Sequence, residues 1–310
     1  MTQILTALTP RHIVQVSDRR VVWTDKSSGE VTRQRDGYVK AVITPSFACS
    51  YTGIADLGGR DTAEWLAVTL SDHVNDLDGG VRALATTAEQ ATDPPYFQNR
   101  PLAIVCAGWT QRGSAVVPLL TVINKPPSGQ RTTLAQGKIA NGRMSCVVPA
   151  GQYLHKDELA RVNRDVENLC KSDRDTARAI AQVLTKAIRH VARSPDRKAV
   201  VSEDVLITSL PRRDLLRSQL VVGALVEDFW SVTCIPAGES RKEHHGGPII
   251  VGNKAAIQAL PPGEGPPGGG IFTGSKIIRL PEREGAGLSL FILTDPPLGQ
   301  AWGWPGDTSQ

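Results

Sequence analysis

Residues 1–21 read MTQILTALTPRHIVQVSDRRV, and this stretch sets the pattern for the first part of the chain. The short apolar runs QILTAL and HIVQVS are rich in strand-forming residues and are separated by a Thr-Pro-Arg interruption, which predicts two neighbouring strands. A threonine directly follows the first methionine, and an Asp-Arg-Arg run ends the second strand. The question for function is whether Thr2 is inert or a nucleophile that becomes available when Met1 is removed.

The order of the predicted elements beyond this stretch indicates the fold class. The strands YVKAVIT and FACSY are followed by a helix with Asp61 as its N-cap and by a second helix over about 81–90. Four further strands, two helices with apolar stripes over 159–169 and 180–191, and the strand AVVSEDVLITSL then follow. Strands, helix pair, strands, helix pair and strand predict two stacked sheets with helices on both outer faces, a four-layer αββα sandwich of the α+β class.

The sequence changes character near residue 212. Residues 1–211 carry the predicted sandwich, and residues 212–310 predict a β-rich extension that includes QLVVGAL, FWSVTCI, GPIIVG and LSLFILT. The run PPGEGPPGGG within it matches the letters of a dinucleotide-binding fingerprint, but its prolines exclude the helix that such a site requires, so it predicts a loop. The last residues predict an irregular tail.

Composition narrows the classes of function. The net charge of +4 is small and the basic residues are dispersed, so no nucleic-acid partner is predicted. We expect no signal peptide and no membrane span, because no apolar run is long enough. The five cysteines are scattered, which favours reduced thiols in a cytoplasmic protein. The adjacent histidines His244 and His245 lack further ligands at metal-site spacing, so we expect neither a metal nor another cofactor.

The hydroxyl and the α-amine of Thr2 are the two groups that a nucleophile with its own base requires. A threonine hydroxyl needs a base to take its proton, and a chain that begins at Thr2 supplies one in its free α-amine. An α-amine ordinarily titrates with a pKa of about 7.7–8.0, which suits proton acceptance near neutral pH. A lysine nearby would stabilise developing negative charge, and an aspartate would orient that lysine. Thr2, Asp18 and Lys40 meet at one sheet end if their strands are antiparallel neighbours.

Four segments in order resemble proteasome β-subunits and their bacterial relatives, the N-terminal-nucleophile threonine hydrolases. SDRRV stands where that family has its acid-x-arginine motif, and YVKAVIT resembles the strand with the catalytic lysine. YTGIADLGGRDTAEWL resembles the segment whose glycine amide forms the oxyanion hole. The fourth segment, RSPDRKAVVSEDVLI, follows the last long helix, where the family has a second aspartate.

The resemblance implies a role for each matching residue. Thr2 is the nucleophile and its amine the base, Lys40 and Asp18 form the supporting pair, Gly53 donates the oxyanion hydrogen bond, and Asp196 orients the N-terminus. The family's Ser-Gly elements are replaced here by VVPAGQ and DRKAVV.

Three further residues have supporting roles by the same resemblance. Arg20 is structural, and Val22 and Tyr51 contribute to the specificity pocket. The implied activity is hydrolysis of peptide or amide bonds by a ring-forming homo-oligomer, with an ATPase partner left open. The alternative is a catalytically inactive scaffold or binding subunit of the same fold, and intact mass at the N-terminus separates the two.

Overall fold

The computed structural model describes most of the chain up to residue 212 and four short segments beyond it. The described residues are 2–25, 28, 30–44, 46–57, 60–91, 101–126, 131–151, 154–195, 200–212, 232–235, 249–251, 256–260 and 274–278.

The chain forms a mixed α/β structure with seventeen strands and four helices among these residues. In order along the chain, the elements are β1 (Gln3–Leu8), β2 (His12–Asp18), β3 (Val21–Thr24), β4 (Val31–Arg35), β5 (Ala41–Ile43), β6 (Phe47–Thr52), β7 (Asp56–Leu57), β8 (Arg60–Asp61), α1 (Thr62–Leu70), α2 (Leu77–Ala91), β9 (Leu102–Arg112), β10 (Ala115–Lys125), β11 (Thr133–Gly137), β12 (Cys146–Gly151), α3 (Lys156–Lys171), α4 (Ala177–Arg193), β13 (Val205–Pro211), β14 (Val232–Ile235), β15 (Ile249–Val251), β16 (Ala256–Leu260) and β17 (Gly274–Ile278).

The strands form two main sheets. The first has the order β12-β1-β2-β13-β14, and all its neighbours are antiparallel. The second has the order β11-β10-β9-β6-β5-β15-β16-β17, in which only the β5–β15 pair is parallel among the described strands. Strands from beyond residue 212 therefore extend both sheets. Two small ribbons, β3-β4 and β7-β8, complete the strand pairing.

Three apolar clusters show where the core lies. One joins α1 and α2 to the second sheet, a second joins α3 and α4 to the first sheet, and a third contains residues from both sheets, such as Ile4 and Val105. Strand alternation explains the division, because successive side chains point to opposite faces. Phe47 and Cys49 on β6 belong to the helix-facing cluster, and Ala48 between them belongs to the cluster shared by the two sheets.

A buried polar contact also links the two sheets. The Gln15 side chain donates to the Thr6 hydroxyl at 3.1 Å and to the Val105 carbonyl at 3.3 Å, and its own carbonyl accepts from the Ser50 hydroxyl at 2.5 Å. Satisfying both ends of a buried amide avoids the desolvation cost of an unpaired polar group. The contact thereby fixes the first sheet against the second at a defined position.

The predicted helices are present and somewhat longer than their apolar stripes. Asp61 caps α1, and its side chain accepts from the Ala63 N–H at 2.8 Å. α2 begins at Leu77 rather than near residue 81, because the Asp76 side chain accepts from the Gly79 N–H and satisfies a first-turn donor. In the described ranges, none of the helices is both long and apolar enough to cross a membrane. The segments QLVVGAL, PPGEGPPGGG and LSLFILT lie outside the described residues.

Candidate active site

Four residues from separate segments of the chain lie together where strands of the two sheets begin or end. Thr2 lies directly before β1, Asp18 is the last residue of β2, Lys40 directly precedes β5 and Thr52 is the last residue of β6. The β1–β2 pairing and the β5–β6 pairing put these positions at one end of each pair. The side chains of all four residues are buried.

Lys40 is the centre of the cluster. Its ammonium group donates to the Thr2 hydroxyl at 2.5 Å and to the Arg20 carbonyl, and it lies 3.5 Å from the Asp18 carboxylate. A lysine ammonium group has three donors, and these three acceptors match them. The arrangement directs positive charge at the one oxygen of Thr2 that can act as a nucleophile.

Burial shifts the pKa values of Lys40 and Asp18 in opposite directions, and each shift favours the neutral form of the group. Lys40 is 1% exposed, and desolvation lowers the pKa of its ammonium group, an effect that the Asp18 charge opposes. Asp18 is fully buried, and desolvation raises the pKa of its carboxyl, while Lys40 and two backbone N–H groups oppose that rise. Each group therefore depends on the other to remain charged.

Backbone hydrogen bonds fix the Asp18 carboxylate. One oxygen accepts from the Gln3 N–H at 2.6 Å, and the other accepts from the Arg20 N–H at 2.8 Å. The first of these bonds ties Asp18 to the residue that follows Thr2. The carboxylate thus orients Lys40 and positions the beginning of β1 together.

Thr52 holds the backbone of Thr2, whereas Lys40 contacts its side chain. Its hydroxyl accepts from the Thr2 nitrogen at 3.0 Å and donates to the Thr2 carbonyl at 3.2 Å. Because the hydroxyl proton is engaged with the carbonyl, the oxygen presents a lone pair to the nitrogen. No sequence pattern predicts a role for Thr52, although it is the threonine of the Thr-Gly turn, directly before the expected oxyanion residue Gly53.

Gly151 leaves the space that Thr2 occupies. It lies opposite Gln3 in the β1–β12 register and has φ +86°. A Cβ on this residue would lie 1.7 Å from the Thr2 carbonyl oxygen and 3.1 Å from the Thr52 hydroxyl. Only glycine fits both this backbone conformation and this close approach. The segment VVPAGQ therefore lacks a serine but retains a glycine at the site.

Gly53 follows Thr52 and is exposed, unlike its neighbour. Its φ is +106°, and a Cβ there would lie 2.0 Å from the Pro101 carbonyl oxygen. A side chain at this position is excluded by both conformation and space. The turn thus places a solvent-accessible backbone immediately next to the buried Thr52.

The two arginines of the Asp-Arg-Arg run have different environments. Arg20 forms a two-pronged ion pair with Asp36, with distances of 2.7 and 2.8 Å, and this hydrogen bonding raises the pKa of its guanidinium. Arg19 is fully buried and donates to the carbonyls of Gly37 and Tyr38 at 2.8 and 3.3 Å. Both arginines hold the segment that leads into Lys40, and the buried one is Arg19.

A second buried carboxyl lies near this site. Asp204 is 2% exposed, and its backbone carbonyl accepts from the Arg19 N–H at 3.1 Å. Burial raises the pKa of its carboxyl to about 6, with Arg19 acting in the opposite direction. The Ser202 hydroxyl accepts from the Asp204 N–H at 3.0 Å. The sequence predicts Asp196 as the second aspartate, and this residue lies outside the described residues.

The two residues expected in the specificity pocket occupy different places. Val22 is half-buried and pairs with Gln34 in the β3–β4 ribbon. Tyr51 is 1% exposed, belongs to the helix-facing cluster of the second sheet, and donates to the Val39 carbonyl at 3.4 Å. Its burial raises the pKa of its hydroxyl well above the usual value. Neither residue belongs to the Thr2–Lys40–Asp18 cluster.

The described ranges contain no group of three or more His, Cys, Asp or Glu side chains arranged to hold a metal ion. The cluster itself offers one carboxylate, one ammonium group and hydroxyls. That set suits proton transfer and charge stabilisation.

No protein-family model matches the chain, and no curated protein matches it. Among solved structures, the chain is similar to the eukaryotic HslV from Trypanosoma brucei, at 14% identity and a TM-score of 0.40, with 68% of this chain and 99% of that chain covered.

Proposed function

We propose that the protein is an N-terminal threonine hydrolase that cleaves peptide or amide bonds, with Thr2 as nucleophile after removal of Met1. The observation that carries the proposal is the 2.5 Å contact between the Lys40 ammonium group and the Thr2 hydroxyl in a buried site closed by Asp18. A surface lysine that met a threonine by chance would not be fully buried beside a carboxylate.

The chemistry follows from this geometry. The Thr2 oxygen attacks the substrate carbonyl carbon, and its proton passes to the Thr2 α-amine. Lys40 stabilises the negative charge on the attacking oxygen, while Asp18 keeps Lys40 protonated and oriented. The amine returns the proton to the leaving nitrogen as the C–N bond breaks, which leaves an ester on Thr2. Water activated by the same amine then hydrolyses the ester.

Three other residues take supporting roles in this proposal. The Gly53 N–H donates to the oxyanion, in line with its exposed backbone beside Thr52. Thr52 holds the amine, since its hydroxyl already accepts from the Thr2 nitrogen. Arg20 is structural through its ion pair with Asp36. The proposal also includes Asp196 as the residue that orients the N-terminus. It includes Val22 and Tyr51 as residues of the specificity pocket.

The wider proposal concerns architecture and assembly. The three apolar clusters support a four-layer αββα sandwich over residues 1–211, with residues 212–310 as an extension whose strands lengthen both sheets. We further propose a cytoplasmic homo-oligomer of ring-like form that acts on peptides and needs no cofactor.

One experiment tests the proposal directly. Intact mass of the purified protein should show that Met1 is absent, and an epoxyketone or β-lactone should add one equivalent to the N-terminal peptide. The Thr2→Ala variant should not be labelled. A mature chain that retains Met1 would contradict the hydrolase, because an acylated nitrogen cannot act as the base.

The second candidate is a catalytically inactive scaffold with the same fold. Thr2 is only 4% exposed and its nitrogen is engaged with Thr52, which is the observation that favours an inert site. Retention of Met1, together with unchanged oligomer assembly in Thr2→Ala, is the result expected of the scaffold.

A further inference from the structure

The β3–β4 ribbon lies between the site residues in the chain. It begins one residue after Arg20, whose carbonyl accepts from Lys40, and it returns to Lys40 through residues 36–39. The Arg20–Asp36 ion pair closes its base, and the Arg19 carbonyl accepts from the Tyr38 N–H at 3.0 Å. The ribbon is therefore anchored at both ends to the elements that hold the candidate active site.

One face of the ribbon combines two aromatic rings with two arginines. Val21 lies opposite Arg35 and Trp23 lies opposite Arg33, so these four side chains share a face. The Arg33 guanidinium stands 5.0 Å from the Trp23 ring centroid, and Arg35 stands 5.5 Å from that of Tyr38. The two rings meet edge to face at 6.5 Å. We call Trp23, Arg33, Arg35 and Tyr38 the arginine–aromatic face.

The charge of this face is unbalanced. Arg33 and Arg35 are exposed, and no carboxylate among the described residues lies within ion-pair distance of either. The acidic residues Asp25 and Glu30 lie instead at the ribbon's tip, where the Asp25 N–H donates to the Glu30 carbonyl. A guanidinium stacked on a ring keeps its N–H edge directed outward, in the geometry that binds a carboxylate with two hydrogen bonds.

We propose that the arginine–aromatic face binds acidic side chains of the peptide substrate, so that the preferred substrates carry Asp or Glu near the scissile bond. The inference rests on the proposed function, because it takes Thr2 as the point of cleavage. Strand rise places Trp23 roughly 10 Å from Arg20 along β3, which corresponds to about three residues of extended peptide. A negative charge on the substrate neutralises the two guanidinium groups, and the rings exclude water beside the resulting ion pairs.

Binding without cleavage tests this inference separately from catalysis. In the Thr2→Ala background, fluorescence anisotropy compares a fluorescein-labelled decapeptide containing two adjacent Glu residues with the same peptide containing Gln. We expect the Glu peptide to bind more tightly, with an advantage that shrinks as salt rises. Arg33→Gln/Arg35→Gln should reduce that advantage about tenfold or more, because two charge-assisted contacts are lost.

The matched control removes two arginines from another surface. Arg161→Gln/Arg164→Gln, at exposed positions on α3, changes the net charge equally and should preserve the discrimination. Equal loss in both double variants, or no loss in the Arg33/Arg35 variant, would overturn the inference, as would a short RNA that displaces the Glu peptide at lower concentration. Failure of Thr2 labelling would overturn the hydrolase instead and leave the binding result intact.

Discussion

The hydroxyl of Thr52 bridges the nitrogen and the carbonyl oxygen of Thr2, at 3.0 and 3.2 Å. These two hydrogen bonds to one side chain fix the orientation of the Thr2 backbone directly before β1. In a chain that begins at Thr2, the same contact would hold one N–H of the amine and leave its lone pair to face the Thr2 hydroxyl. In the proposed mechanism, this structural contact therefore determines whether the amine is available as the base.

Thr52→Val removes the bridge while preserving the shape of the side chain. We expect kcat for a peptide substrate to fall about 10- to 100-fold with little change in KM, because a misdirected base affects proton transfer rather than substrate binding. Steady-state kinetics over a pH series check this, since the low-pH limb, which reports the amine, should move as well.

Thr52→Ser is the matching control, because it keeps the hydroxyl and loses only a methyl group. Its activity should stay close to that of the parent. Equal loss of activity in Thr52→Val and Thr52→Ser would contradict the bridge as the cause, because serine retains the hydroxyl.

Lys40 and Asp18 should depend on each other for stability. Lys40→Met leaves a buried carboxylate uncompensated and should cost about 3–5 kcal/mol in the free energy of unfolding. Lys40→Met/Asp18→Asn removes both charges and should be more stable than Lys40→Met alone. Urea unfolding of the two single variants and the double variant gives the coupling energy.

An exposed ion pair provides the comparison for that cycle. Arg193 and Glu203 meet at 2.7 Å with the arginine side chain 68% exposed. Arg193→Gln should leave the urea midpoint close to that of the parent. Additive effects of the Lys40 and Asp18 substitutions would contradict the proposed mutual dependence.

Gly151 should tolerate no other residue, whereas Gly113, another glycine with positive φ, should tolerate alanine. Gly151→Ala would put a Cβ 1.7 Å from the Thr2 carbonyl, so either Thr2 moves or β12 separates from β1. We expect loss of Thr2 labelling together with a lower melting temperature. Gly113→Ala at φ +61° meets no atom within 4 Å and should cost only about 1 kcal/mol for the strained backbone. Similar melting temperatures for the two variants would argue against the close approach.

The sequence was informative where local pattern and spacing carry the information. The strands around Thr2 and Asp18 and the apolar stripes of α3 and α4 have clear periodicity, so their approximate positions were predicted. The roles of Thr2, Asp18 and Lys40 are implied by the resemblance to a known family, and in the structure the Lys40 side chain contacts those of Thr2 and Asp18.

The missed features depend on pairing across the fold. Gly151 matters because it lies opposite Gln3, a relationship between residues 148 positions apart that no local pattern encodes. The β3–β4 ribbon is mostly exposed, so it has no apolar alternation to reveal it. Arg19 and Arg20 are adjacent and chemically identical, and only the tertiary structure determines which of them is buried.

Asp204 should make the stability of the protein depend on pH in a defined direction. Burial raises the pKa of its carboxyl from 3.8 to about 6, so between these values the folded chain holds a proton that the unfolded chain has released. Stability therefore falls as pH rises through this window, by about 3 kcal/mol at about 1.4 kcal/mol per pKa unit. Asp204→Asn cannot titrate and should gain that amount over the parent between pH 4 and pH 7.

Urea unfolding of the parent and Asp204→Asn at both pH values measures this difference. Other carboxyls titrate in both proteins, so their contributions cancel in the comparison. Asp165→Asn, at an exposed position on α3, makes the same chemical change at the surface and is the matched control. An equal pH-dependent gain in this variant would contradict burial as the cause. An Asp204→Asn variant that is most favourable relative to the parent at pH 4 would reverse the sign, and would mean that the Arg19 charge outweighs burial at this carboxyl.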